Sequence, residues 1–385
     1  MEYFLTEEQM MIKELAAKIA DEKIAPVALK YDEEEIFPHD IVKVLADSDL
    51  CGVYIDEEYG GLGGGIFEMS LVVEELSRAC GGISLAYAGT GLGIFPIILF
   101  GNDDQKKKYL PDVASGKKLA AFGLTEANAG SDVAGIQTTA KLDGDYYVLD
   151  GTKQWITNGG EAEIYTVVAC TNRAKGARGF SAFIVEKDTP GFSFGKKENK
   201  MGIRGSCTRE LIFDNCRIPR ENLLGREGIG FIVAMKTFDR TRPGVAAQAL
   251  GIAQGAFDEA LKYSKERVQF GQPISSFQAV QHMLADMAIQ IEAARCLVYQ
   301  SSKHIDSGAK NVSKESAIAK VFASDTAMKV TTDAVQILGG YGYMKEYPVE
   351  KMMRDAKITQ IYEGTNQIQR SIIALELIKG LSAKK

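Results

Sequence analysis

The sequence predicts an α+β protein of three domains: an N-terminal helical domain (1–117), a middle antiparallel β-barrel or sandwich (118–225) and a C-terminal four-helix bundle (226–385). Three observations support this fold class. The chain has 385 residues, more than one hydrophobic core usually supports. Its pattern changes from helical to strand-rich near residue 118 and back to helical near residue 228. No helical pattern of about 10–15 residues separates the predicted strands, which disfavours a parallel α/β sheet.

The N-terminal domain begins with a helix signal. Residues 6–9 (TEEQ) read as a capping box, and apolar residues follow at helical spacing. The glycine-rich segment 59–65 predicts a flexible loop before a helix over residues 67–79. The most apolar stretch, residues 92–100, contains a glycine and a proline and is far too short to span a bilayer. We therefore expect no membrane span.

The middle domain is predicted from short runs of β-branched and aromatic residues. These runs occupy residues 146–151, 164–169, 180–185 and 210–213, and the turn signal Asp143-Gly144 precedes the first. Two G-x-G segments elsewhere lack the third glycine of a dinucleotide fingerprint and do not follow a predicted strand. A Rossmann domain is therefore disfavoured.

The C-terminal domain is predicted from long Ala-rich segments with apolar residues at i, i+3 and i+4. These segments are residues 247–266, 277–306, 313–338 and 368–381. Their lengths suit an antiparallel four-helix bundle with short connections.

Charge and cysteine content disfavour several classes of function. The net charge of −6 argues against nucleic acid or an anionic membrane as the main partner. The six cysteines form no C-x-x-C pair, which favours buried free thiols in a reducing cytoplasm. The three histidines are scattered and cannot make a conventional metal site, so we predict no metal. The acidic N-terminus lacks the pattern of a signal peptide.

Glu363 is the candidate catalytic residue. It lies in the segment 361–370 (IYEGTNQIQR), beside apolar and aromatic neighbours that can raise the pKa of a carboxyl, as a general base at neutral pH requires. Gly364 lets the backbone approach a ligand closely. Thr365 and Gln367 add neutral hydrogen-bonding groups suited to a polar cofactor. An isolated glutamate is more often a solvated surface group, so the assignment depends on other motifs.

Six ordered segments together resemble the acyl-CoA dehydrogenase family. They are residues 122–132 (FGLTEANAGSD), 155–158 (WITN), 238–242 (FDRTR), 266–271 (ERVQFG), 336–342 (QILGGYG) and 361–365 (IYEGT). The similarity spans essentially the whole chain and is nearest to short- and medium-chain, butyryl-CoA dehydrogenase-like members. It implies an FAD-dependent oxidoreductase that converts an acyl-CoA thioester to the 2-enoyl-CoA. Glu363 would remove the α-proton while the β-hydride passes to the flavin, and electron-transferring flavoprotein would accept the electrons.

The resemblance also assigns residues to FAD. An indole over the flavin would both pack the ring and exclude water, and an arginine fork suits a pyrophosphate. In this family several contacts to the ADP half reach across a subunit boundary, which implies a homotetramer. The residues assigned to FAD are Phe122, Leu124, Thr125, Gly130, Ser131, Trp155, Thr157, Arg267, Gln269, Phe270, Gln278, Gln336, Gly339, Gly340, Thr365 and Gln367.

A further set is assigned to the substrate by the same resemblance: Ser84, Tyr87, Ala88, Ser131, Asp239, Arg242 and Gly364. Small residues at the expected pocket floor leave room for a butyryl-to-hexanoyl chain or for a branched or alicyclic group such as cyclohexanecarboxyl, and both stay open. Thr241 stands where some branches of the family carry the base, and Ser84 where glutaryl-type members carry an arginine. Those branches are therefore disfavoured. Glu363 and the residues assigned to FAD argue against a catalytically silent flavoprotein scaffold. An acyl-CoA oxidase stays open, because it would differ only in how the reduced flavin reacts with oxygen.

Overall fold

Helices form the N-terminal part of the chain in the computed structural model, which describes residues 3–382. The predicted capping box is present, because the Thr6 hydroxyl accepts the N–H of Gln9 and the Gln9 side chain accepts the N–H of Thr6. The helix predicted over residues 67–79 is also confirmed. The helices are α1 (Glu7–Ile19), α2 (Ala28–Glu33), α3 (His39–Asp47), α4 (Ile66–Ala79), α5 (Gly81–Phe100) and α6 (Asp103–Ala114).

Helix α5 is the central helix of this domain. Among the described residues it is the one helix of 20 residues that is long and apolar enough, by length and composition alone, to cross a membrane. Most of it is buried inside the protein, as in a core helix. Residues 92–100, which alone are too short to span a bilayer, are therefore only part of a longer apolar helix that runs as one unit through Pro96.

The middle part of the chain forms a mixed sheet. Its strands are β1 (Ala120–Gly123), β2 (Thr139–Asp143), β3 (Tyr146–Thr157), β4 (Ile164–Cys170), β5 (Phe180–Glu186), β6 (Phe192–Phe194), β7 (Thr208–Pro219) and β8 (Leu223–Leu224). They follow the order β6-β7-β3-β2-β4-β5-β8, and β1 pairs with β4. The prediction of a purely antiparallel sheet is wrong in one respect, because β1 and β2 each pair with β4 in parallel. The chain enters β1 from α6 rather than through a hairpin, and such a connection permits parallel pairing.

Helices return in the C-terminal part: α7 (Gly230–Glu266), α8 (Gln278–Asp306), α9 (Ser313–Leu338), α10 (Val349–Thr359) and α11 (Asn366–Ser382). A small hairpin of β9 (Val268–Gln269) and β10 (Gln272–Pro273) connects α7 to α8. The predicted three-domain fold class is confirmed. Two details differ from the prediction: α7 begins well before residue 247, and α10 is an additional helix.

Pro243 explains why the first half of α7 was missed. A proline inside a helix removes one N–H donor, and its presence usually marks a helix end. Here the carbonyl of Asp239, four residues earlier, accepts a hydrogen bond at 2.8 Å from the Ser316 hydroxyl on α9. The tertiary contact replaces the missing local one, so the helix continues.

Two hydrophobic cores hold the domains. One contains residues of both the N- and C-terminal helices together with strand residues, and the second lies mainly within the sheet. The six cysteines are free, and five are buried as expected. Cys296 is exposed, contrary to that expectation. The proposed domain boundaries fall in connecting segments, between Ala114 and Ala120 and between Leu224 and Gly230.

Candidate active site

Glu363 lies in the turn between α10 and α11. Its φ is 50° and that of Gly364 is 94°, so two successive residues adopt left-handed backbone. For a residue with a side chain this conformation costs energy and persists where surrounding contacts impose it. The Glu363 carbonyl accepts hydrogen bonds from Arg242 Nε at 3.3 Å and from Gln369 Nε2 at 3.0 Å. The Gly364 carbonyl accepts one from Lys320 Nζ at 2.9 Å. These contacts hold the turn by its backbone.

The Glu363 carboxylate is half-buried, and the Thr241 hydroxyl donates to its Oε2 at 2.6 Å. Burial raises the pKa of Glu363 to about 7, against opposing effects from Thr241, Arg242 and Lys320. The most effective catalytic base has a pKa near the working pH. The raised pKa that the sequence led us to expect is therefore present, and the side chain is suited to proton abstraction.

Asp239 and Arg242 are buried on α7 and form an ion pair at 3.1 Å. Ser313 donates a second contact to Asp239 at 2.6 Å. Burial lowers the pKa of Arg242 against the effects of Asp239 and Glu363. In the structure these two charged groups face each other and the Glu363 turn, and their expected contact with CoA stays a prediction.

A β-bulge places Trp155 at the protein surface. The register of β3 against β7 shifts between Lys153 and Ile156. At this point the N–H of Gln154 donates to the Thr125 carbonyl at 2.8 Å, and Trp155 takes a φ of 58°. A bulge re-aims a side chain away from the regular alternation of a strand. The indole is 57% exposed, which is unusual for a side chain of its size.

The same region brings together the residues assigned to the flavin. Thr125 is bonded to β3 next to Trp155, and the carbonyl of Leu124 accepts a hydrogen bond from Lys153 Nζ at 3.0 Å. Lys153 is fully buried and pairs with Glu126 at 2.8 Å. Burial lowers the pKa of Lys153 to about 8. This buried pair therefore supports the backbone of the residues assigned to the flavin, which are called the flavin wall below.

Two packing contacts join this wall to the helices. The rings of Phe122 on β1 and Phe238 on α7 meet edge to face, with centroids 5.6 Å apart. Gly89 on α5 lies against Thr157, and a Cβ added there would be only 2.8 Å from the Thr157 methyl. The guanidinium of Arg242 lies 5.8 Å from the Phe238 ring centroid, so a short chain of contacts connects the wall to the Glu363 turn. Gly130 and Ser131 lie on an exposed loop of the middle domain. Thr365 directly precedes α11, and Gln367 is the second residue of that helix.

Residues assigned to the ADP half of FAD gather at the far end of α7. Arg267, Gln269, Gly339 and Gly340 line a cleft of about 540 Å³. The Arg267 guanidinium lies 5.4 Å from the Tyr341 ring centroid. Phe270 is at the tip of the β9–β10 hairpin, with a φ of 52° and 94% exposure. Gln278 and Gln336 are exposed at the adjoining ends of α8 and α9.

The two sets of FAD residues are far apart within one chain. Thr241, which contacts Glu363, and Arg267 are 26 residues apart along α7 and its C-cap. At 1.5 Å of rise per residue, this corresponds to roughly 39 Å along the helix. Phe122 contacts Phe238 near the Thr241 end, so the residues assigned to the flavin ring and those assigned to the ADP half lie at opposite ends of α7.

The expected floor of the acyl pocket is only partly accessible. Ser84 has no exposed surface, and its hydroxyl bonds to Ser77 of α4 at 2.8 Å. Tyr87 is also buried and lines a cavity of about 10 Å³ with Val42 and other residues on the α3 and α6 side. Ala88 alone of the three keeps partial exposure. Ser84 and Tyr87 expose 0% and 3% of their surface, and their contact with a substrate stays a prediction.

Two buried polar residues near the base were not predicted from the sequence. Gln248 on α7 is 1% exposed, donates to the Gly81 carbonyl at 2.9 Å and accepts from the Tyr362 hydroxyl. Lys320 on α9 is 0% exposed and contacts the turn itself. Neither lies in a recognisable motif, and each stands in an Ala-rich helix where a polar side chain is by default solvated. Thr241 and Gln248 are seven residues, or about two helical turns, apart, which places both on one face of α7. This spacing is the one local signal that could have identified Gln248.

Comparisons with known proteins are consistent across the chain. Sequence models of the acyl-CoA dehydrogenase family match its N-terminal domain over residues 6–117, its middle domain over 121–216 and its C-terminal domain over 228–378. The short-chain-specific acyl-CoA dehydrogenase of Clostridium acetobutylicum is 48% identical over 381 residues, covering 98% of this chain and 100% of that protein.

Solved structures give the same result. Butyryl-CoA dehydrogenase from Megasphaera elsdenii matches with a TM-score of 0.96 and 48% identity, over 98% of this chain and 100% of that one. A chain from a structure of the electron transferring flavoprotein of Acidaminococcus fermentans, concerned with flavin-based electron bifurcation, matches with a TM-score of 0.96 and 52% identity, over 98% and 99% of the two chains.

Proposed function

This chain belongs to the acyl-CoA dehydrogenase family, and we propose that it desaturates short-chain acyl-CoA thioesters with Glu363 as the base. It is an FAD flavoprotein and an oxidoreductase acting on CH–CH bonds of acyl-CoA, as the family is. The observation that carries the proposed role of Glu363 is the raised pKa of its carboxyl, about 7, which burial causes. The backbone of the same residue is held at a positive φ, which is unfavourable. Such a combination is typical of functional sites.

The residues around Glu363 suit removal of a proton next to a thioester carbonyl. The α-C–H bond of a saturated thioester is weakly acidic, so the developing enolate needs hydrogen-bond donors that are already in place. The Glu363 and Gly364 carbonyls are bound to donors inside the protein. The backbone N–H of Glu363 is the donor that we assign to the substrate carbonyl. Thr241 holds one carboxylate oxygen, which leaves the other for the α-proton.

The flavin fits the exposed indole and the adjoining backbone. A large aromatic side chain with 57% exposure, set out by a bulge, offers a flat apolar face on which a ring can stack. Trp155 and Thr157 would cover one face of such a ring, with Leu124 and Thr125 along its edge. The bound FAD supplies the acceptor for the β-hydrogen and its two electrons. The protein's part is to position the substrate and to exclude water.

Gln248 supports a short acyl chain as substrate. Thr241 beside the base and Gln248 lie seven residues apart on α7, or about 10 Å along the helix axis. Gln248 is locked between the Gly81 carbonyl and the Tyr362 hydroxyl, and Tyr362 is the neighbour of the base. We infer that this buried amide limits the length of the acyl chain that fits between α5, α7 and the catalytic turn. The names of the similar proteins from C. acetobutylicum and M. elsdenii agree with this size class.

The proposal is tested by two variants with a panel of acyl-CoA esters under anaerobic conditions. Flavin bleaching should be fastest with butyryl-CoA, and Glu363→Gln should bind FAD and ester but lose at least 100-fold in rate, the lower end of the general-base contribution of roughly 10²–10⁴. Gln248→Ala should shift the preference towards hexanoyl- and octanoyl-CoA. Retained turnover in Glu363→Gln contradicts the assigned base. An unchanged chain-length profile in Gln248→Ala contradicts the assigned pocket end.

Electron-transferring flavoprotein is the electron acceptor that we propose. The match to a chain from a structure of such a flavoprotein supports this. We also propose a homotetramer in the cytoplasm. The position of the two sets of assigned FAD residues at opposite ends of α7 and the exposure of Phe270 support a site shared between two chains. Light scattering should give four times the chain mass of 41.9 kDa. A monomer that retains FAD would contradict the shared site.

A further inference from the structure

Lys320 is a buried lysine that the proposed mechanism has not used. It lies on α9 with no exposed surface. Lysine is almost never fully buried unless its charge is paired. Its Nζ donates to the Gly364 carbonyl and to Asn366 Oδ1, each at 2.9 Å. Both acceptors are uncharged, so the hydrogen-bond partners of Lys320 do not neutralise its ammonium charge.

The two acceptors connect Lys320 to the catalytic turn. Gly364 directly follows Glu363, and both residues have positive φ, a conformation that costs energy for Glu363 because it carries a side chain. Asn366 is the first residue of α11, and its amide nitrogen also donates to Ser324 Oγ at 2.9 Å. Lys320 therefore joins the turn and the start of α11 to α9 through one side chain. Without this contact the Gly364 carbonyl would keep only the hydrogen bond from Gln369 Nε2 at 3.1 Å.

The charge of Lys320 also reaches the base. Thr241 and Arg242 lower the pKa of Glu363, and Lys320 adds a smaller effect in the same direction. Glu363 in turn opposes the burial that lowers the pKa of Lys320 to about 7. The charge of Arg242 is compensated by contact with Asp239. The titratable groups that act on the carboxylate are Arg242 and Lys320, and the carboxylate in turn raises the pKa of Tyr362. Asp239 acts on Arg242, and Asp325 acts on Lys320.

We propose that Lys320 is a positioning residue of the dehydrogenation: it fixes the Glu363–Gly364 turn through the Gly364 carbonyl and keeps the Glu363 side chain ionised inside the cleft. The inference rests on the proposed role of Glu363 as the base. It assigns to α9 a function in catalysis beyond packing. We expect a neutral side chain at position 320 to leave the fold intact and to lower the fraction of Glu363 that is ionised.

The test compares Lys320→Met with Lys351→Met across pH, in the FAD-loaded enzyme. Lys351 is a matched control, because it is also a buried lysine in the same domain but pairs with Asp355 at 2.5 Å. In Lys320→Met the acid limb of kcat/KM should move to higher pH, since the Lys320 ammonium favours the ionised form of Glu363. Activity at neutral pH should fall several-fold and recover as pH rises. Lys351→Met should leave the limb in place.

A wild-type profile in Lys320→Met, or an equal shift in Lys351→Met, overturns the proposal. If Lys320→Met fails to fold, the coupling is measured from the other side, by NMR of ¹³Cε-labelled lysines in wild type and Glu363→Gln. Loss of the anion should lower the pKa of Lys320, and an unchanged titration overturns the proposal. An active Glu363→Gln would refute the base itself. An inactive Glu363→Gln with an unshifted Lys320→Met would refute only the role of Lys320.

Discussion

The hydrogen bond from Thr241 to Glu363 should set the pH at which the enzyme becomes active. Thr241→Val keeps the shape of the side chain and removes the hydroxyl that donates to Glu363 Oε2 at 2.6 Å. Hydrogen bonds to charged groups contribute about 1.5–3 kcal/mol, and one pKa unit corresponds to about 1.4 kcal/mol, so the loss amounts to about 1–2 units. The donor stabilises the ionised form, so its removal raises the pKa of Glu363 from about 7.

The rate follows from the ionised fraction of the base. With a pKa of about 7, roughly half of the Glu363 side chains would be ionised, and able to accept a proton, at neutral pH. With a pKa raised by about 1–2 units, roughly 1–10% would be ionised, so the rate at pH 7 should fall roughly 5- to 50-fold and recover near pH 9–10. The assay is anaerobic flavin bleaching by butyryl-CoA in stopped flow.

Thr237→Val is the matched control for this variant. Thr237 is a buried threonine one turn earlier on α7, and its hydroxyl donates to the Val233 carbonyl at 2.8 Å rather than to Glu363. An unmoved acid limb in Thr241→Val, or an equal movement in Thr237→Val, would refute the reasoning.

Three further predictions concern cofactor and substrate. Arg267→Ala should reduce the FAD that is retained through gel filtration and should weaken the oligomer. The control Lys262→Ala, at an exposed lysine, should change neither. Full flavin content in Arg267→Ala would count against the role of Arg267. Ala88→Glu should lower kcat/KM more for hexanoyl- than for butyryl-CoA, by about 1–3 kcal/mol, and an equal loss for both would place Ala88 outside the pocket. Trp155 is the single tryptophan, so adding FAD to apoprotein should quench its emission, and constant emission would contradict stacking.

The elements that the sequence predicted best are those whose signals are local. The Thr6 capping box and the turn after β2 need only a few neighbouring residues, and both are present. The first half of α7 was missed because the local signal of Pro243 is overridden by a hydrogen bond from Ser316, 77 residues away from its acceptor. Strand β1 was missed because its four residues are small or apolar rather than β-branched, and burial with pairing to β4 fixes it instead.

The same distinction applies to the candidate site. Glu363 and its neighbours form a recognisable segment, so the base could be predicted from the sequence. The residues that tune it could not, because Lys320 and Gln248 look like ordinary polar positions on long helices. Only the packing of α9 and α7 against the turn brings the Lys320 ammonium to the Gly364 carbonyl and the Gln248 amide to the Tyr362 hydroxyl. Their assigned roles depend on tertiary contacts that no local pattern encodes.

Backbone strain connects the three most prominent residues of the site. Trp155, Phe270 and Glu363 all have positive φ, between 50° and 58°, a conformation uncommon for residues other than glycine. The cause differs for each residue. Trp155 lies in a bulge of β3, and Phe270 lies at the tip of a two-stranded hairpin. The turn of Glu363 is held by side chains of α7, α9 and α11 that donate to its carbonyls. In each case the surrounding structure, rather than the preference of the residue, sets the direction of the side chain. The strain therefore places an indole, a phenyl ring and a carboxylate where regular helices and strands could not present them.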